Sequence, residues 1–302
     1  MRESRLLDHI YRRSADLASS FPGVLLGPGD DCAVVACGPQ TLLTVDQLIE
    51  GRHYLPGTAI DLIARKAVAR SVSDIAAMAG VPRWALATAA LPAAWSQAES
   101  DDLFDRLATW ARHWGCPLVG GDIAALPEGA PMLLTVTVGG DPHASRGPVT
   151  RSGAKPGDCV WMTGRVGGSL PSGRHLTFEP RIAEARWLAD TLTTRLHAMI
   201  DLSDGLGRDA ARVAAGSGVR LEIEAALVPV HEPRSPTVAS DGEDYELLFI
   251  ADADADMTLP AACPQTGTPV TRIGQVIAGQ GCVIIDAAGR AWDTTEMGWD
   301  HG

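Results

Sequence analysis

Apolar runs that end in aspartate recur along this chain: Leu42-Leu43-Thr44-Val45-Asp46, Leu118-Val119-Gly120-Gly121-Asp122 and Met199-Ile200-Asp201-Leu202-Ser203-Asp204. Asp30 and Asp31 follow the turn Gly27-Pro28-Gly29, and Asp74 falls inside an apolar helical pattern. A carboxylate at a strand mouth is a hard oxygen ligand. An aspartate within a buried helix is costly unless it is paired or bound to a cation. Five such sites in one chain suggest a shared magnesium and polyphosphate site, where metal clamping replaces a side-chain nucleophile. Taken singly, several of these residues have plainer readings. Asp74 could pair with Arg65, Lys66 or Arg70, and Asp204 stands where a helix N-cap is favoured. His53 lies in a polar loop beyond Asp46, where an isolated histidine is usually just exposed.

The composition narrows the classes. With 302 residues, 46% hydrophobic and 21% charged, the chain is long enough for two globular domains. A net charge of −12 disfavours nonspecific binding to DNA or RNA, which draws its affinity from basic faces. The six cysteines have no C-x-x-C spacing, so a zinc or iron-sulfur centre has little support and reduced thiols are expected. The start of the chain is charged and amphipathic, unlike a signal peptide or membrane anchor. The longest apolar stretch, residues 84–95, is interrupted by Pro92 and too short to span a bilayer. A cytoplasmic protein without membrane partners is the expectation. No Gly-x-x-x-x-Gly-Lys-Ser/Thr occurs, which disfavours a P-loop kinase.

The elements that must position these residues follow from periodicity. Residues 4–20 read as one amphipathic helix and residues 59–79 as a largely buried one. Residues 32–36 and 41–46 read as a hairpin that would bring Asp31 and Asp46 to one side of a sheet. Residues 83–91 and 131–139 read as strands, and Ser96 with Glu99 forms a capping box for a helix reaching Trp114. A short strand at 116–119 should end at Gly120-Gly121-Asp122, where paired glycines would let backbone N–H groups approach a phosphate. Residues 141–157 turn rich in Pro, Gly, Ser and basic side chains, which sets two domains, 1–140 and 141–302. The second carries strands at 158–164, 197–201, 219–224 and 245–251, helices to about 195 and from 206 to 215, and a hairpin around Ala288. The fold class is α/β, with helices and mixed sheets (α+β).

Read in order, Gly29-Asp30-Asp31-Cys32-Ala33, Glu50-Gly51-Arg52-His53-Tyr54, Ser73-Asp74-Ile75-Ala76-Ala77-Met78, Gly120-Gly121-Asp122, Arg174-His175-Leu176, Ile200-Asp201-Leu202-Ser203-Asp204-Gly205, Gly242-Glu243-Asp244-Tyr245 and Gly298-Trp299-Asp300-His301 together resemble the thiamine-monophosphate kinase family. The resemblance runs from about residue 22 to the C-terminus. It implies the two-domain fold of the aminoimidazole-ribonucleotide-synthetase superfamily, with N-terminal sheets pairing in a homodimer and the C-terminal domain completing the active site. It also implies transfer of the ATP γ-phosphoryl group to thiamine monophosphate.

By motif position, Asp31, Thr44, Asp46, Asp74, Asp122, Asp201 and Asp204 would hold several magnesium ions, with catalysis resting on Asp46, Asp74, Asp122 and Asp204. Phe104, Gly121, Asp122, Arg146 and Ser203 would contact the nucleotide, and His53, Glu243 and Trp299 the thiamine monophosphate. Arg146 could equally be a solvated linker arginine, and Trp299 plain packing. This chain carries Ser71 for a usual Asn, Ile123-Ala124 for two threonines, Asp241 for a Gly and Gly302 for a terminal aromatic, and its loop 164–173 is short and lacks the family's helix. Two other readings stay open: a superfamily relative, synthetase or ligase, using ATP on another small acceptor, and a non-catalytic nucleotide-binding protein.

Overall fold

The computed structural model describes residues 3–28, 32–231, 239–294 and 297–298. The chain divides into two compact units, Met1–Ile75 with Val81–Asp141, and Ala76–Gly80 with Pro142–Gly302.

In the first unit, α1 (Glu3–Arg13) and α2 (Leu17–Ser20) precede two short antiparallel strands, β1 (Val24–Leu26) and β2 (Val34–Val35). The single helix expected over 4–20 is thus broken. Asp16 stands at the break, held by the Arg112 guanidinium at 2.6 Å and accepting a hydrogen bond from Ser20 Oγ at 3.2 Å. The chain continues through β3 (Leu42–Ile49), α3 (Ile60–Ala77), β4 (Val81–Leu91), α4 (Gln97–His113), β5 (Leu118–Ala125) and β6 (Leu133–Asp141). These strands form a sheet in the order β3-β6-β4-β5, parallel only between β4 and β5. The expected hairpin of 32–36 with 41–46 does not form. The short β2 pairs with β1, whereas β3 pairs along its length with β6, whose Leu134, Val136 and Val138 are buried. A long register that buries one face outweighs a local turn. The capping box is present at α4: Ser96 Oγ accepts from Glu99 N, and Ser96 N donates to Glu99 Oε2 at 2.7 Å.

Gly120-Gly121-Asp122 does not end a strand; β5 runs through it. A Cβ built on Gly121 would lie 1.8 Å from the Ala87 carbonyl oxygen of β4. The glycine is therefore demanded by close strand pairing just beyond an irregularity in the β4–β5 register.

The second unit contains β7 (Cys159–Thr163), α5 (Ser169–Ser172), α6 (Ile182–Leu192), β8 (Leu196–Asp201), α7 (Leu206–Ser217), β9 (Arg220–Glu224), β10 (Leu247–Ala251), β11 (Val270–Ile277), β12 (Gly281–Ile285) and β13 (Ala291–Asp293). Among the described residues its sheet runs β13-β12-β9-β11-β7-β10-β8, antiparallel except between β9 and β12. Val160, Met162, Ile200 and Leu248 pack with Leu206, Ala210, Val213 and Ala214 of α7. Trp161, Met199, Leu247 and Phe249 pack with Ala185, Leu188 and Leu192 of α6. Burial on both faces is why β7 and β10 read as continuous apolar runs. The loop 164–173, expected to lack a helix, holds the single turn α5, followed by a 3-10 turn at Arg174–Leu176. Among the described residues, no helix is long and apolar enough to cross a membrane.

Gly121→Ala should lower unfolding free energy by about 2 kcal/mol or more, because the new methyl must displace backbone rather than a mobile side chain. Urea denaturation of the variant checks this, and unchanged stability would mean that the β4–β5 pairing is looser than described.

Candidate functional site

Strand alternation puts Thr44 and Asp46 on one face of β3, and α3 presents Arg70, Ser71 and Asp74 to them. Thr44 Oγ1 donates to Asp74 Oδ2. Arg70, one helical turn before Asp74, places Nη2 3.3 Å from Asp46 Oδ1 and donates through Nη1 to the Gln47 carbonyl at 2.7 Å. Ser71 Oγ lies 3.3 Å from Asp46 Oδ2 and 2.9 Å from the Val136 carbonyl, a hydroxyl donor within reach of both. Thr44, Asp46 and Asp74 are thereby brought together. The cations weighed as partners for Asp74 make further contacts of their own: Lys66, fully buried, donates to the His53 carbonyl at 2.6 Å, and Arg65 lies 5.1 Å from the Trp110 ring centroid.

His53 is not the exposed loop histidine its surroundings suggest. It is 7% exposed, and its Nδ1 accepts the Ile49 N–H at 2.9 Å, which leaves the ring proton on Nε2. Residues 50–54 are folded back tightly, with Gly51 N donating to the Tyr54 carbonyl at 2.8 Å.

Asp122 lies elsewhere on the same sheet. Strand register aligns Asp46, Val136, Ala87 and Gly121 in one row, and Gln47, Thr135, Thr88 and Asp122 in the next. Neighbouring rows project to opposite faces, so Asp122 faces away from Asp46. It lines a cavity of about 760 Å³ with Gly121, Phe104, Leu103, Leu107 and Leu86. Among the described residues, no three His, Cys, Asp or Glu side chains converge on one point. The donors present are hard oxygens, which suit Mg²⁺. That ion commonly takes one or two protein carboxylates and completes its shell with water and substrate phosphates.

In the second unit, Asp201 ends β8 with 3% exposure, and the chain turns through Ser203, Asp204 and Gly205 into α7. Gly205, not Asp204, is the N-cap of α7. Asp204 Oδ2 lies 2.5 Å from Arg212 Nη2, and the turn is held by Asp209, whose Oδ2 accepts from Asp204 N at 2.9 Å and Gly205 N at 3.2 Å. Arg212 Nη1 also meets Asp209 Oδ1 at 2.7 Å. Burial, then the charge of Asp204, pushes the Asp209 carboxyl up to about 6 against the pull of Arg212. Asp209 and Arg212 were not anticipated; their i, i+3 spacing in α7, just after an acidic turn, was the available signal. Arg146 is not a solvated linker arginine. Its Nε donates to the Thr193 carbonyl and its Nη2 to the Leu196 carbonyl, each at 2.8 Å.

Glu243 sits at φ +62°, a conformation rare for a residue with a Cβ. It is pinned by its N–H to the Ser203 carbonyl at 2.7 Å and by Ser169 Oγ, which donates to its carbonyl at 2.7 Å. Asp244, next to it, accepts the Gly167 N–H at 2.9 Å. Burial pushes the Asp244 carboxyl up to about 7, against that hydrogen bond and nearby Arg174. Asp31, Trp299 and Gly302 lie outside the described residues.

Two family models match the chain: AIR synthase related protein, N-terminal domain, over residues 29–141, and AIR synthase related protein, C-terminal domain, over residues 155–287. A thiamine-monophosphate kinase of Escherichia coli O157:H7 is 34% identical over 94% of this chain and 94% of its own. One from Rhodopirellula baltica is 32% identical over 99% of this chain and 97% of its own. The solved structure of AaThiL complexed with AMPPCP and TMP superposes with a TM-score of 0.73 at 26% identity, covering 100% of this chain and 99% of that one.

The Asp244 carboxyl, at about 7 against an ordinary 3.8, is held neutral by folding, so its contribution to stability is whole below about pH 4 and is lost as pH rises through about 7. Asp244→Asn stays neutral throughout and can still accept from Gly167. Its melting temperature relative to wild type should therefore rise by about 3 °C or more between about pH 5 and pH 8. Thermal melts across that range check this, and a pH-independent difference would mean that Asp244 titrates normally.

Proposed function

The chain belongs to the thiamine-monophosphate kinase family, and from that premise we propose that it transfers the γ-phosphoryl group of ATP to the phosphate of thiamine monophosphate, giving thiamine diphosphate. The observation that carries this reading is the end-to-end match to kinases of that name, joined by a structural neighbour that holds AMPPCP and TMP. The acceptor is a phosphate oxygen already anionic at neutral pH, so no strong general base is needed; alignment and charge neutralisation do most of the catalysis.

Mg²⁺, when bound, would neutralise phosphate oxygens and bridge them to the protein. Thr44, Asp46 and Asp74 would hold ions on one face of the first sheet and Asp122 on the other, while Asp201 and Asp204 would do so in the second unit. Asp31 belongs to the proposed ligand set by motif position alone. Phe104 and Gly121 contact the nucleotide at the apolar cavity, a reading supported by their shared lining of it. Ser203 and Arg146 contact its phosphates, the guanidinium being fixed in direction by the two carbonyls it already serves. His53 and Glu243 contact thiamine monophosphate, Glu243 as counter-charge to the cationic thiazolium; Trp299 belongs to the same set by motif position alone, where an aromatic ring on a cation would be worth about 0.5 to 2 kcal/mol.

The working form is a homodimer in the cytosol. Support for the dimer comes from β3, an edge strand that exposes Leu43 (66%) and Val45 (61%) side by side on one face. Support for the compartment comes from the six unbridged cysteines.

Purified protein given thiamine monophosphate, ATP and magnesium should form thiamine diphosphate. Asp46→Asn and Asp74→Asn should each reduce turnover by about 100-fold or more with the melting temperature nearly unchanged, and near-normal activity in both would sink the metal-site assignment. Absence of product from wild type, with ATP still bound in a magnesium-dependent way, would show that the acceptor had been misread. Val45→Glu should shift the protein from dimer to monomer in sedimentation velocity; a dimer that survives the charge is not held by this face of β3.

A further inference from the structure

Two departures from the family pattern, Asp241 in place of glycine and the shortened loop 164–173, turn out to be in contact. Asp241 Oδ2 accepts the Gly168 N–H at 2.9 Å, and Asp244 Oδ2 accepts the neighbouring Gly167 N–H at 2.9 Å. Arg174 Nη2 closes the same loop onto the Gly167 carbonyl. The 3-10 turn that follows carries His175, a buried residue whose Nδ1 lies 3.2 Å from Glu243 Oε2. Both side chains are largely shielded, at 11% and 15% exposure.

We propose that His175 is a positioning residue that aims the Glu243 carboxylate at the cationic acceptor, with Asp241 locking the short loop that delivers it. The inference rests on the reading of Glu243 as a contact of thiamine monophosphate. The backbone of Glu243 is fixed at both its N–H and its carbonyl, and its positive φ leaves the side chain to be directed from outside. A glutamate with three free torsions would spread its charge over many rotamers. A ring nitrogen at 3.2 Å selects one of them, and the carboxylate is held in one direction for a cation to meet. The arrangement also accounts for Asp241: with glycine there, the Gly168 N–H would lose its acceptor and the loop one of its two aspartate ties.

The test compares His175→Ala and His175→Asn with wild type in steady-state kinetics on both substrates. An asparagine amide can put an N–H where Nδ1 stands. His175→Ala should raise KM for thiamine monophosphate about tenfold, leave KM for ATP and kcat within about twofold, and be largely restored in His175→Asn. Equal increases in both KM values, no increase in either, or no rescue by asparagine in a variant with a wild-type melting temperature would overturn the positioning role. Asp241→Gly should move the same KM in the same direction by a smaller factor. A wild-type chain that binds ATP but makes no thiamine diphosphate would instead remove the reading on which the proposal rests, and the proposal with it.

Discussion

Carboxylates repel one another and resist burial, and each of the two units answers that constraint with internal donors for its acidic groups. Asp46 has Arg70 and Ser71, Asp74 has Thr44, Asp204 and Asp209 share Arg212, and Glu243 has His175. An uncompensated buried charge costs several kcal/mol, a large share of what holds a domain together. The pairs therefore let these acidic groups be folded without leaving their charges uncompensated.

Backbone placement carries the next layer. In the first unit, Gly121 permits β5 to run against β4 where a side chain would strike the Ala87 carbonyl, and Asp122 follows it into the cavity beside Phe104. In the second, the turn after β8 is held by Asp209 beneath it, and the 240–244 segment is tied to that turn through Glu243 N and the Ser203 carbonyl. Tyr245, also at positive φ (53°), has its ring stacked on Phe178 at 3.8 Å, so the strained stretch is anchored on its far side as well. Strain of this kind persists only where surrounding contacts over-determine it.

Two further side chains hold these segments in place. Ser71 keeps a hydroxyl within reach of Asp46. Asp241 accepts the Gly168 N–H across 73 residues of sequence, a contact that only the tertiary structure sets.

Residue type and period alone determined much of this protein. The Ser96–Glu99 cap fixed the start of α4, the apolar runs at 158–164 and 245–251 marked strands, and ordered acidic motifs pointed to phosphate chemistry. These are local signals, set by capping geometry and by side-chain periodicity within a few residues. Tertiary structure decided the rest. Pairing of β3 with β6 rather than with residues 32–36 was chosen by buried area available only from a strand almost a hundred residues away, and that register sent Asp46 and Asp122 to opposite faces. Capture of Arg146 by two carbonyls and the partner on Glu243 likewise come from chain segments distant in sequence. Which acidic residues a chain carries is written in its sequence; what neutralises each of them depends on what the fold packs beside it.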